Sequence, residues 1–293
     1  MKDDRPSSTS LLIARALLLA AATPRLRPLI VDECATLTRR LLAAAEPAHW
    51  FDLTLRHPFL RCAPFAVERL FLPGILLHWL VRKRLLDALA HEALTAGCRQ
   101  IVVLGAGLDT LAWRLQSAGA CFELDHPATQ VIKRRAIAEG PVLMAADLMH
   151  ASVAEALRAQ PRFATNQPTL YVAEGLLMYL PPDRVAELFR EMAALSAPGS
   201  RFAFTFMEAR PGRRIAFHNE RRIIGWWLRW RGESFRWALA RTDVEAFAAQ
   251  HGWELASLSS PEELRRRFLT PAGLGDAPLA TGESVAMTYL RAR

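Results

Sequence analysis

Residues 99–115 read RQIVVLGAGLDTLAWRL. An apolar run, Ile101–Leu104, abuts the glycines Gly105 and Gly107, and the acidic Asp125 closes the next apolar run about 20 residues on. A strand that turns sharply into a helix needs residues without a Cβ, both for positive φ and for close approach of a ligand to the backbone. A carboxylate at the end of the second strand accepts hydrogen bonds from both hydroxyls of a ribose better than a neutral side chain does. The pattern therefore predicts a nucleotide-type ligand across the first strand of an α/β sheet.

A Gly-x-Gly turn alone serves many folds, and its continuation narrows the ligand. A dinucleotide fingerprint wants a third glycine or alanine where this chain has Thr110, and it seats a pyrophosphate over the helix N-terminus. Asp109 places negative charge there. A ligand with a cationic sulfonium or ammonium and no phosphate is favoured, and S-adenosylmethionine fits that description.

The 293 residues suffice for one large α/β domain with additions. Hydrophobic residues make up 52% and charged residues 23%, a composition that folds rather than one that stays disordered. Cys34, Cys62, Cys98 and Cys121 show no Cys-x-x-Cys spacing, so neither a zinc site nor a disulfide framework is indicated and a reducing, cytoplasmic setting is expected. Leu11–Ala22 imitates the core of a secretory leader, but Arg15 interrupts it and Asp3 and Asp4 spoil its charged start. No run reaches the roughly 18 uninterrupted apolar residues of a membrane span.

The net charge of +8 raises nucleic acid or an anionic membrane as partners. Lysine occurs only at Lys2, Lys83 and Lys133, and the arginines are spread along the chain with one denser zone from Arg210 to Arg241. That spread reads as a compositional bias, so no nucleic-acid partner is expected.

Short apolar runs alternate with helical segments. Predicted strands are Ile101–Leu104, Cys121–Leu124, Pro141–Ala145, Thr169–Ala173, Arg201–Phe206, Trp253–Leu258 and Val285–Leu290. Predicted helices are Thr110–Ala118, Ala128–Ala138, Ala151–Ala159, one opened by Pro181 and Pro182 that runs to Leu195, and Asp243–Gln250. This order predicts a doubly wound, Rossmann-like, seven-stranded and mostly parallel sheet. The last two strands are too close in sequence for a long crossover helix and are expected to pair antiparallel. Residues 1–80 form a helix-rich, proline-punctuated cap and substrate region, residues 81–293 the core, and residues 208–241 an inserted lid.

The chain resembles the class I S-adenosylmethionine-dependent methyltransferases of the leucine carboxyl methyltransferase group, in their bacterial O-methyltransferase branch. The matching segments are RQIVVLGAGLDT (99–110), FELDHP (122–127), AADL (145–148), YVAEGLLMYLPP (171–182), SAPGSRFAF (196–204) and TGESVAMTYL (281–290). The resemblance implies that Gly105 lies against the methionine part of the cofactor and that Asp125 holds the ribose. It implies that Asp147 and Leu148 bracket the adenine, that Glu174 faces the amino or sulfonium region, and that Arg82, five residues before Asp87, binds the cofactor's carboxylate. The chain departs from the family pattern at Lys83, where threonine is usual, and at Leu111, where arginine is.

Plainer readings stand beside these. Asp125 and Asp147 are also suited to capping helices; for Glu174, burial without a partner is costly, which favours a functional place. Asp109 is expected to satisfy backbone amides of the turn or to pair with an arginine. Tyr179 is expected to pack with its hydroxyl in water. His78, His126 and His218 lie in the sequence where bases are conceivable, and none is assigned. Trp226, Trp227, Trp230 and Trp237 alternate with arginines, which suits a membrane-surface helix or a stacking platform for nucleic acid. A lid helix that packs its tryptophan face over the site mouth explains the same pattern and is preferred.

The expected activity is O-methyl transfer to a small-molecule carboxylate or acidic hydroxyl, since no convincing general base is visible and no metal-ligand spacing occurs. The runner-up readings are an NAD(P)-dependent oxidoreductase on a related fold and a non-catalytic basic binding protein.

Overall fold

The computed structural model describes residues 7–31, 33–46 and 51–291. Asp3 and Asp4, weighed above against a leader, lie outside the described residues. Strand β1 (Gln100–Leu104) is the axis of the molecule, with β2 (Ala120–Asp125) on one side and, on the other, β4 (Thr169–Ala173). With β3 (Val142–Ala145), β5 (Arg201–Met207), β6 (Trp253–Ser259) and β7 (Glu283–Leu290), the order across the sheet is β3-β2-β1-β4-β5-β7-β6. The first five strands pair in parallel. β7 enters antiparallel between β5 and β6, so the antiparallel pairing expected of the last two strands is present.

Alternation along β1 shows why its apolar run is continuous. Ile101 and Val103 pack into one core with the helix Ile75–Thr95, while Val102 and Leu104 enter a second core with the helix Pro182–Leu195. Both faces of the parallel sheet are covered. The order in which strands are added reverses between β1 and β4, which places the turn after β1 and the ends of β2, β3 and β4 at one edge, where such sheets hold ligands.

Before the sheet come the helices Ser8–Ala21, Cys34–Ala45, Phe51–Arg56, Cys62–Phe71 and Ile75–Thr95. The boundary drawn at residue 80 falls inside the last of these, which runs unbroken from the cap into the core. No single helix among the described residues is long and apolar enough to cross a membrane.

The insertion after β5 holds the helix Arg222–Arg231. Two of its tryptophans do not pack over the protein as expected: Trp226 is 59% and Trp230 68% exposed, while Trp227 is half-buried. The inward face consists of Ile224, Gly225 and Leu228 instead, and Gly225 admits the Arg214 guanidinium so closely that a Cβ there would lie 2.3 Å from Nη1. Trp237 leaves this group altogether and packs in the core against Phe247, ring centroids 5.6 Å apart.

Candidate functional site

The turn after β1 is held by its own backbone. Gly105 donates its N–H to Leu124 O at 2.8 Å and takes φ +61°, where a Cβ would come within 2.7 Å of Leu176 Cδ1. Gly107 has φ +51° and donates to the Asp125 carboxylate. Asp109 accepts from the amides of Thr110 and Leu111, as the turn reading expects, but its charged partner is Lys83 rather than an arginine.

Asp125 closes β2 and is only 9% exposed. Its two oxygens accept from Gly107 N and His126 N, and burial raises its carboxyl despite those donors. Asp147, just after β3, is exposed and accepts from Met149 N at 3.0 Å, while neighbouring Leu148 is buried and its carbonyl accepts from Arg184 Nε at 2.9 Å. Asp125, Asp147 and Glu174 thus stand after β2, β3 and β4 at one sheet edge.

Beside the turn, the helix Ile75–Thr95 lays down an ionic network. Arg82 is buried and reaches two carboxylates. Its Nε donates to Glu174 Oε1 at 3.0 Å, and its Nη1 donates to both oxygens of Glu283, at 2.9 and 2.8 Å. One turn earlier, His78 Nε2 lies 2.8 Å from Glu283 Oε2. Lys83 joins Asp109 to Glu174, and Arg114 pairs with Asp87. Burial opposes the charged forms of Arg82, Lys83, Asp109, Arg114, Glu174 and Glu283, and the partners decide the outcome. Lys83 overcomes burial and holds Asp109 below the ordinary carboxylate range; Arg82 and His78 do the same for Glu283, down to about 2. For Glu174 burial prevails over Lys83 and Arg82, with the Asp109 charge adding to it, and the carboxyl is raised.

Below the turn lies a fully buried pair. Lys133 Nζ donates to Glu123 Oε2 at 2.6 Å and also props the carbonyl of Asp109 at 3.1 Å. Above the turn lies the N-terminal helix, whose first residues bond to Glu233: Ser7 Oγ at 3.1 Å, Ser8 N at 2.8 Å and Thr9 Oγ1 at 2.5 Å. Tyr179 faces Thr9 and Glu233 rather than water, which corrects the expectation for its hydroxyl; burial and the Glu233 charge raise it.

With this geometry in place, comparison with known proteins is informative. The model of the family described as leucine carboxyl methyltransferase matches residues 12–193, more than half of the chain. The chain belongs to the leucine carboxyl methyltransferase family. A Mycolicibacterium smegmatis protein provisionally named an S-adenosyl-L-methionine-dependent methyltransferase is 33% identical over 271 residues, covering 84% of this chain and 81% of the relative. A second protein of that organism, with a similar name, is 35% identical over 201 residues, and the match spans 62% of this chain and 64% of the relative. A crystal structure from Thermobifida fusca, provisionally described as a methyltransferase, superposes with a TM-score of 0.61 at 15% identity over 98% of this chain and 96% of the other, and shares the fold.

Family membership makes the chain an S-adenosylmethionine-dependent methyltransferase and displaces the nicotinamide-dependent and non-catalytic readings. The residues present fit the cofactor. Gly105 and Gly107 leave backbone without side chains at the strand end, Asp125 offers a carboxylate beside them, and the network supplies both signs of charge for an amino-acid zwitterion.

Three members of this site escaped the sequence reading. Lys83 was noted only as a departure, although a lone lysine next to an arginine in an otherwise arginine-based chain was a signal. Glu283 lay within a quoted family segment and, as a carboxylate opening an apolar run, needed a partner. Glu233 carried no sequence signal: its partners lie more than 220 residues away.

Proposed function

We propose that this family member transfers a methyl group to the oxygen of a small-molecule carboxylate or acidic hydroxyl. The observation that carries the cofactor side of this reading is Glu174, a buried carboxylate at the end of β4 beside the glycine turn, whose ionisation burial opposes even with Arg82 and Lys83 against it. Such a carboxylate favours a ligand bearing a sulfonium and an ammonium.

In the roles proposed, Asp125 accepts from the ribose hydroxyls, Gly105 lets the methionine portion lie on the turn, and Glu174 meets the amino group. Arg82, as its resemblance role has it, is the cation for the cofactor's carboxylate, and the more exposed Lys83 is a second candidate beside it; Asp147 and Leu148 flank the adenine. When bound, the cofactor would supply an electrophilic methyl group whose sulfonium leaves as a neutral thioether. The protein's task is alignment and exclusion of water.

An acceptor that is already anionic needs no base, and the groups around the turn support that choice. His78 is bonded to Glu283, Glu283 is bound by Arg82, and His126 caps the helix Pro127–Ala136 through Nδ1. Each holds a structural partner, though His78 Nδ1 has none among the described residues. Arg236 N donates to Met178 O at 2.7 Å, which ties the segment after β4 to the insertion that follows β5.

The test is calorimetric titration with S-adenosylmethionine, followed by methyl transfer from radiolabelled cofactor to a panel of carboxylic acids and phenols. Loss of cofactor binding in Asp125→Ala and alkali-labile product from the acids are expected. Binding unchanged by Asp125→Ala sinks the ribose assignment, and transfer only to amines or thiols sinks the acceptor class.

A further inference from the structure

The helix Arg222–Arg231, sequence RIIGWWLRWR, presents Ile223, Trp226, Trp227 and Trp230 at the spacing i, i+3, i+4, i+7, which is one helix face. Most of that face points away from the protein: Ile223 is 49%, Trp226 59% and Trp230 68% exposed, with Trp227 half-buried at its edge, while Leu228 on the opposite side is 7%. An apolar face turned to water on a helix already anchored by its other side needs an occupant.

The flanks say which. At 100° per residue, Arg222 and Arg229 fall on one border of the apolar face and Arg231 on the other, all exposed. Arg231 lies over the rings of Trp230, 4.9 Å, and Trp227, 5.6 Å, so its charge stays at the edge of the aromatic surface. The helix contains no acidic residue, and the acids at its ends are spent elsewhere. Glu220 is bound to Arg214 and the amide of Phe217, and Glu233 to the start of the N-terminal helix. The positive charge of this face is therefore not neutralised locally.

A second apolar surface adjoins it. Arg221 N donates to Phe71 O at 3.0 Å, joining the start of this helix to the end of Cys62–Phe71, where Val67 is 56% and Leu70 50% exposed; Phe59, just before, is 72% exposed. Arg56, Arg69 and Arg221 are exposed among them.

We propose that the helix Arg222–Arg231 docks the protein on an anionic lipid surface, its tryptophans seated among the headgroups and its arginines on the lipid phosphates. Aromatic side chains prefer that depth, and flanking arginines add attraction to a negative leaflet. A small-molecule lid role leaves Trp226 and Trp230 largely in water. A second copy of the chain would set this uncompensated positive face against an identical one.

The experiment uses the full chain and co-sedimentation with vesicles of phosphatidylcholine alone or mixed equally with phosphatidylglycerol. Binding to the mixed vesicles, little to the neutral ones, and weakening with salt are expected. Trp226→Ser with Trp230→Ser should lower binding by about tenfold or more, and Arg222→Gln with Arg229→Gln by about tenfold, with the thermal melt unchanged. Quenching of wild-type tryptophan fluorescence by brominated anionic lipid gives a readout independent of any variant and should be seen. Absence of quenching, equal binding to both vesicles, or sedimentation unaffected by the tryptophan pair overturns the proposal. So does a lipid-free dimer that the tryptophan variant dissociates, which would make the face an interface between copies.

Discussion

Ser10 lies directly on Gly107: a Cβ built at the glycine would sit 3.2 Å from the Ser10 Cβ. The N-terminal helix therefore covers the turn that carries the cofactor signature, and Glu233 fastens it there through Ser7, Ser8 and Thr9. Releasing that fastening is the most direct way to learn whether the helix gates the site. Glu233→Ala should speed amide hydrogen exchange across residues 8–21 by about tenfold or more, because charge-assisted hydrogen bonds of this kind contribute about 1.5–3 kcal/mol. Exchange unchanged from wild type would show that the apolar contacts of Leu17, Leu18 and Leu19 hold the helix by themselves.

Gly105 admits no side chain. Gly105→Ala drives a Cβ toward Leu176 Cδ1 and forces a non-glycine residue to φ +61°. A loss of about 1–3 kcal/mol in urea unfolding is expected, and Leu176→Ala in the same chain should recover the steric part only.

Arg82 holds two buried carboxylates. Arg82→Met should cost about 3–5 kcal/mol by stranding Glu174 and Glu283. Adding Glu283→Gln should return part of that loss, and a double variant no more stable than Arg82→Met would show that the arginine acts through packing instead.

Lys133 and Glu123 pose the same question beneath the turn. Lys133→Met alone is expected to lose about 3–5 kcal/mol, while Lys133→Met with Glu123→Leu recovers most of it. If the double variant is stable yet binds S-adenosylmethionine more weakly, the lost contact to the Asp109 carbonyl is the cause.

Stability should depend on pH through two carboxyls of opposite sign. Burial pushes Glu68 up to about 7 from an ordinary 4.5, against the backbone donors that begin the helix Ile75–Thr95. Its protonated form is the one favoured by folding, so its contribution is full below about 4.5 and is lost as pH climbs through about 7. Glu283, held at about 2, contributes in full above 4.5 and loses that contribution as pH falls toward 2. Denaturation midpoints measured from pH 4 to 8 should fall at the alkaline end, and Glu68→Gln should flatten that fall; a slope unchanged by the variant would assign it to another group.

The sheet was legible because each strand's signal is local. Thr169–Ala173 lies where its apolar run predicts, and β1 gains only Gln100, which the sequence could not count because its place depends on pairing with Ala120 and Thr169. The predicted helix 110–118 shrinks to Leu111–Leu115. Gly105 and Asp125 were legible because a strand-to-helix turn constrains its own backbone. Glu283 was not, since its partner Arg82 is 201 residues away and charge pairing across a fold leaves no periodic trace. The tryptophan helix was misread for another reason. Both of its faces are apolar, and spacing identifies faces without saying which one meets the core.

The unbroken helix Ile75–Thr95 limits how this protein can be taken apart. It carries His78 and Arg82 into the ionic network while its first turns belong to the cap, so a chimera joined at residue 80 would splice two unrelated surfaces through the middle of one rod. An exchange of the N-terminal helices between relatives has to move this helix with them and to cut in the loop before β1. The ionic partners on β7 and after β4 then become part of the graft's compatibility, and swapped caps will work only in cores that bring matching carboxylates.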